Sequence, residues 1–154
     1  MNSKIPIAVS VLFFALAIHA EAKDSPPALL PITLGQTNVG TIALPGQADR
    51  FSFSGTLGQR LYYDALDLDY ESIVATLYGP SGAAVPGFSI NHSSDYGPFY
   101  LPETGGYTLV IKGSGDTVGD YSFRLLDMAG ATLLGYDTNV SGQLNPQSST
   151  VAYR

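Results

Sequence analysis

Apolar and polar residues alternate in short runs along most of this sequence, and glycine or proline closes nearly every run. In GYTLVIKG, Tyr107, Leu109 and Ile111 fall on one side of an extended chain; in DYSFRLLD, Tyr121, Phe123 and Leu125 do the same. Successive side chains of a strand point to opposite faces, so a recurring period of two demands half-buried strands. DRFSFSG repeats the pattern, with Phe51 and Phe53 on one face and Arg50, Ser52 and Ser54 on the other. NVGTIAL, QRLYYDALDL, SIVATLYG, FSIN and YGPFYL add further strand segments, while PSGAAVPG and GSGDTVG are clusters of turn formers. Seven or eight strands at a spacing of about 8–12 residues predict an all-β fold, a two-sheet β-sandwich with jelly-roll or Greek-key-like connectivity. The length of 154 residues supports one real core, and the 17 glycines and 10 prolines suit many turns.

The chain divides unevenly. Residues 1–22 read as a signal peptide: MNSK is a basic start, IPIAVSVLFFALAI an apolar stretch, and AEA supplies small residues for cleavage after Ala22. The apolar stretch falls short of the roughly 20 residues that span a bilayer. Residues 23–31, which include KDSPPALLP, read as a linker. Residues 32–128 hold the alternating segments. Residues 129–154 contain an echo, because LGQTNVGTIALPG at 34–46 returns loosely as LGYDTNVSGQLNPQ at 134–147. Gly40 then matches Gly142 and Phe51 matches Tyr153, which reads as the truncated start of a second, similar repeat.

Charge and cysteine content remove whole classes of function. A net charge of −6 with only 7 scattered Lys and Arg offers neither a phosphate-binding surface nor a polybasic membrane patch. No cysteine is present, so thiol chemistry, disulfides and Cys-zinc sites are excluded.

Three segments in order carry a family resemblance. GTIALPGQADRFSFSGTLGQRLYY opens with an F-x-F strand and a Gly-Gln turn; ATLYGPSGAAV forms an L-Y-x-P-x-G hairpin; FYLPETGGYTLVIKGSGDTVGDYSFRL closes with two Gly-x-Tyr strands. Together, over 40–127, they resemble the bacterial pre-peptidase C-terminal domain. The resemblance implies a β-sandwich at 32–128 that is not an enzyme. It further implies a secreted accessory module, extracellular or periplasmic in a bacterium, that mediates binding or adhesion or assists a peptidase or multidomain protein. Its partners would be extracellular polysaccharide, matrix protein or an adjacent domain.

Other motifs point to different chemistry. LPETG at 101–105 has the letters of a cell-wall sorting signal, but the apolar spanning tail such a signal needs does not follow it. Pro102 withdraws a strand donor and the glycines at 105 and 106 permit positive φ, so the pentapeptide reads as a turn. In YYDALDLDYES, a continuing strand would put Asp67, Asp69 and Glu71 on one side. Asp116 or Asp120 could then add an oxygen from the glycine-rich loop, which makes Asp67, Asp69 and Asp116 weak calcium candidates. No other cofactor is suggested. The alternative function is therefore a calcium-dependent, lectin-like domain for carbohydrate or matrix. NHSSD at 91–95 places His, Ser and Asp in one loop, where a catalytic triad seldom assembles, and reads as a polar turn. The aromatic residues could stack on sugars, but most fall at alternating positions that a core would use.

Overall fold

The computed structural model describes residues 28–154, so the expected leader and its cleavage point after Ala22 lie outside the described residues. Nine strands form: β1 (Leu29–Pro31), β2 (Asn38–Ile42), β3 (Ala48–Gly55), β4 (Arg60–Ala65), β5 (Ile73–Tyr78), β6 (Ala84–Asn91), β7 (Tyr96–Tyr100), β8 (Gly105–Gly113) and β9 (Gly119–Asp127). One 3-10 turn, Met128–Gly130, follows them. The strands build a five-stranded sheet in the order β1-β3-β8-β5-β6 and a four-stranded sheet in the order β2-β9-β4-β7. Only the β5–β6 link stays within a sheet as a hairpin; every other link between described strands crosses to the opposite sheet. All ladders are antiparallel except β1 on β3. This is the expected sandwich.

The core consists of the faces that the alternation marked. Phe51, Phe53, Tyr107, Leu109 and Ile111 point inward from the larger sheet, and Tyr63, Tyr121, Phe123 and Leu125 from the smaller. Phe123 stacks on Tyr63 at 5.5 Å and meets Phe51 edge-on at 5.3 Å, tying the two sheets together. Each such ring pair contributes about 0.5–1.5 kcal/mol beyond its buried area. The phenylalanines Phe51, Phe53, Phe88, Phe99 and Phe123 are all buried, whereas Tyr70, Tyr78, Tyr100, Tyr136 and Tyr153 are exposed. With Tyr63, Tyr107 and Tyr121 also buried, most of the described aromatic rings serve the core, as their alternation implied, while half of the tyrosines face solvent.

Three segments depart from the sequence reading. Leu29–Pro31, at the end of the expected linker, add a parallel edge strand to β3. Three residues hold no alternation to detect. The apparent turn cluster PSGAAVPG is a turn only at its start, because β6 begins at Ala84 and buries Val85. Pro86 and Gly87 fit there since β6 is an edge strand, where a missing donor costs little. Finally, β8 and β9 adjoin in sequence but lie in opposite sheets.

LPETG is a hydrogen-bonded turn between the sheets. Leu101 is buried, the Glu103 N–H donates to the Tyr107 hydroxyl at 3.0 Å, and that hydroxyl donates to the Glu103 carbonyl at 2.7 Å. The Ser81 hydroxyl donates to Glu103 Oε1 at 2.6 Å. Of the two glycines only Gly105 needs positive φ, at 147°, and a Cβ there would press on Pro80.

Candidate functional site

The outer face of the five-stranded sheet carries an open trough of about 710 Å³. Its residues alternate with the core positions, so the sequence that fills the core also builds the trough. Register places Arg50 opposite Val110, Ala48 opposite Lys112, Thr76 opposite Val110 and Tyr78 opposite Thr108. Val110 and the two threonines form the floor; Tyr78 and Pro80 form a wall at the hairpin end. Arg50 and Lys112 are diagonal neighbours on adjacent strands, a register that spaces two backbone positions by about 7–8 Å. No carboxylate lines the trough, and the one ion pair among the described residues lies elsewhere. Two cationic side chains thus line one trough on a chain of net charge −6.

The opposite outer face, on the four-stranded sheet, is covered. Asp64 on β4 and Arg124 on β9 are cross-strand partners and form an ion pair in which Arg124 Nε donates to Asp64 Oδ2 at 2.8 Å. Asp64 is wholly buried because the C-terminal segment lies over it. The Thr150 N–H donates to Asp64 Oδ1 at 2.8 Å, and Arg124 Nη2 donates to the Thr150 carbonyl at 3.3 Å. Asp95 completes the group: its Oδ1 accepts the Ala65 N–H at 2.8 Å, and its Oδ2 accepts the Thr150 and Tyr62 hydroxyls at 3.1 and 3.2 Å. Burial, with the Asp95 charge beside it, pushes the Tyr62 phenol up.

The calcium candidates are dispersed by the end of β4. The strand stops at Ala65, and the Asp69 N–H donates to Asp67 Oδ1 at 3.0 Å, turning the chain instead of extending it. Asp67, Asp69 and Glu71 consequently do not share a strand face. Glu71 folds back over Gly119 with its Oε2 buried and unpartnered. Asp120 accepts the Thr41 hydroxyl at 2.6 Å, while Asp116 stands exposed at the tip of the 114–118 loop. Among the described residues no three His, Asp or Glu side chains are grouped so as to hold a metal ion.

NHSSD turns the chain between β6 and β7, and its side chains serve separate neighbours. His92 is wholly buried, with Nδ1 3.3 Å from the Ile73 carbonyl and Nε2 unpartnered. The Ser93 hydroxyl donates to Asn91 Oδ1 at 2.7 Å, and Asp95 belongs to the covered face. A buried imidazole makes this turn less polar than its letters suggested.

Sequence reasoning placed Arg50 on the face opposite Phe51 but did not connect it with Lys112. It did not single out Asp64 or Arg124. The outward half of each alternating run was the available signal for Arg50, Lys112 and Arg124.

Comparisons with known proteins bear on the fold. No family profile matches the sequence, and no curated protein matches it. Among solved structures, the pre-peptidase C-terminal domain of a collagenase from Bacillus anthracis matches at 17% identity with a TM-score of 0.51, covering 67% of this chain and 99% of that one. PliG of Salmonella Typhimurium, a periplasmic inhibitor of g-type lysozyme, matches at 18% identity with a TM-score of 0.46, covering 63% of this chain and 95% of that one. Among the described residues no helix is long and apolar enough to cross a membrane. The two sheets and the collagenase-domain match together give this chain a pre-peptidase C-terminal-like fold.

Proposed function

We propose that this chain is an exported, non-catalytic binding module whose ligand is an acidic polysaccharide held in the trough of the five-stranded sheet. The observation that carries the reading is the pair Arg50 and Lys112, side by side and without a carboxylate partner, in an open groove of an acidic protein. Cations so placed favour a carboxylate-bearing chain. Tyr78 and Pro80 offer flat apolar surface to a sugar ring, and Thr76 and Thr108 offer hydroxyls to its polar edge. The similar fold of a domain named for its place in a collagenase supports an accessory role.

Calorimetric titration of the full chain with oligogalacturonate tests this. Binding that weakens as salt is raised and disappears in the Arg50→Ala/Lys112→Ala double variant is the expected result. Undetectable binding, or binding that the double variant leaves unchanged, contradicts it.

A further inference from the structure

The buried pair on the other face points to a second site. In an extended residue the N–H and the C=O point the same way, which is how two opposed residues in an antiparallel ladder exchange both bonds. Asp64 and Arg124 reproduce that exchange with side chains: the carboxylate accepts the Thr150 N–H and the guanidinium donates to the Thr150 carbonyl. Two further contacts select for hydroxyls. The Thr150 hydroxyl meets Asp95, and the Ser148 hydroxyl donates to the Leu66 carbonyl at 3.0 Å. The occupant is tied into the chain lightly. Residues 133–147 are exposed and contain no strand, and the return is held by the Thr132–Tyr153 bridge, with Leu134 N–H on the Arg154 carbonyl at 2.8 Å and Arg154 N–H on the Thr132 carbonyl at 3.0 Å.

We propose that Asp64 and Arg124, with Asp95, form a recognition site for an extended peptide bearing hydroxyl residues, and that the chain's own segment Ser148–Ser149–Thr150 is its ligand, docked as a displaceable latch. The echo of residues 34–46 within 134–147 does not give the two copies one environment. A Cβ at Gly40 would run into the Tyr121 ring, whereas Gly142 stands in open space. The latch itself, residues 148–150, lies beyond the echoing segment 134–147.

The test removes two latch contacts from the full chain. Thr150→Pro deletes the N–H that Asp64 accepts and the hydroxyl that Asp95 accepts. Amide exchange at Leu134 and Arg154 is then expected to speed up by about tenfold or more, with the exchange of β4 and β9 amides retained. A synthetic peptide of residues 146–154 should bind this variant, and at least about tenfold more weakly both to the unaltered chain, whose site is filled, and as a peptide carrying the same Pro. Protection retained at Leu134 and Arg154, or a released latch with no peptide binding, overturns the proposal. If Thr150→Pro does not fold, native-state exchange of the unaltered chain decides. Latch amides that open before those of β4 and β9 support it, and latch amides that open only with global unfolding contradict it.

Discussion

The two outer faces of this sandwich are built from the same alternating pattern and meet opposite fates. On the five-stranded sheet Arg50 and Lys112 stand open to solvent beside threonines and a tyrosine. On the four-stranded sheet Asp64 and Arg124 neutralise each other beneath the chain's own C-terminal segment. The difference lies in pairing. A carboxylate opposite an arginine can be covered, because each charge finds its partner as water leaves. Arg50 and Lys112 have no such partner among the described residues, and that face is left open. One face is covered by the chain's own segment and the other is left open.

Substitutions should separate the two faces by size of effect. Asp64→Ala leaves a partly buried guanidinium unpaired and strands the Thr150 N–H; urea denaturation is expected to show a loss of about 3–5 kcal/mol. A loss near zero would mean that the covered face contributes nothing and the contrast fails. The next effect is pH-dependent. Burial pushes the Tyr63 phenol up, and burial together with the hydrogen bond to Asp49 pushes the Tyr121 phenol up. Both folded values lie above the ordinary phenol value near 10, so their contribution is complete below about pH 10 and is lost as pH rises above it. Each group should cost about 1.4 kcal/mol per pH unit there, visible as a falling melting temperature, while Tyr63→Phe removes one share of the slope. Thr150→Val keeps both backbone contacts but loses the hydroxyl bond to Asp95, for an expected cost of about 0.5–1.5 kcal/mol. Smallest of all, Arg50→Ala and Lys112→Ala should each move stability by no more than about 0.5 kcal/mol, since neither is paired. A larger change at either would show the open face to be structural as well.

Alternation revealed which side chains are buried and hid which strands are neighbours. Phe51, Leu109 and Phe123 could be assigned inward from period alone, because a strand has only two faces. That β3 and β8 lie side by side, and so bring Arg50 to Lys112, depends on links that cross between sheets, which no local pattern encodes. β6 was obscured by Pro86 and Gly87, tolerable only because that strand is an edge. The end of β4 was misjudged because DALDLD continues to alternate in letters while Asp67 takes the Asp69 N–H and turns the chain. Asp64 gave no signal at all: it stands between Tyr63 and Ala65 as any outward residue would, and its burial comes from a segment 86 residues away.

Amide chemical-shift mapping of the full chain, titrated with oligogalacturonate, tests the central claim most directly. Perturbations confined to Arg50, Thr76, Tyr78, Thr108 and Lys112, reversed by added salt, are the predicted result. Perturbations centred on Asp64, Arg124 and Thr150, or none on either face, would contradict it.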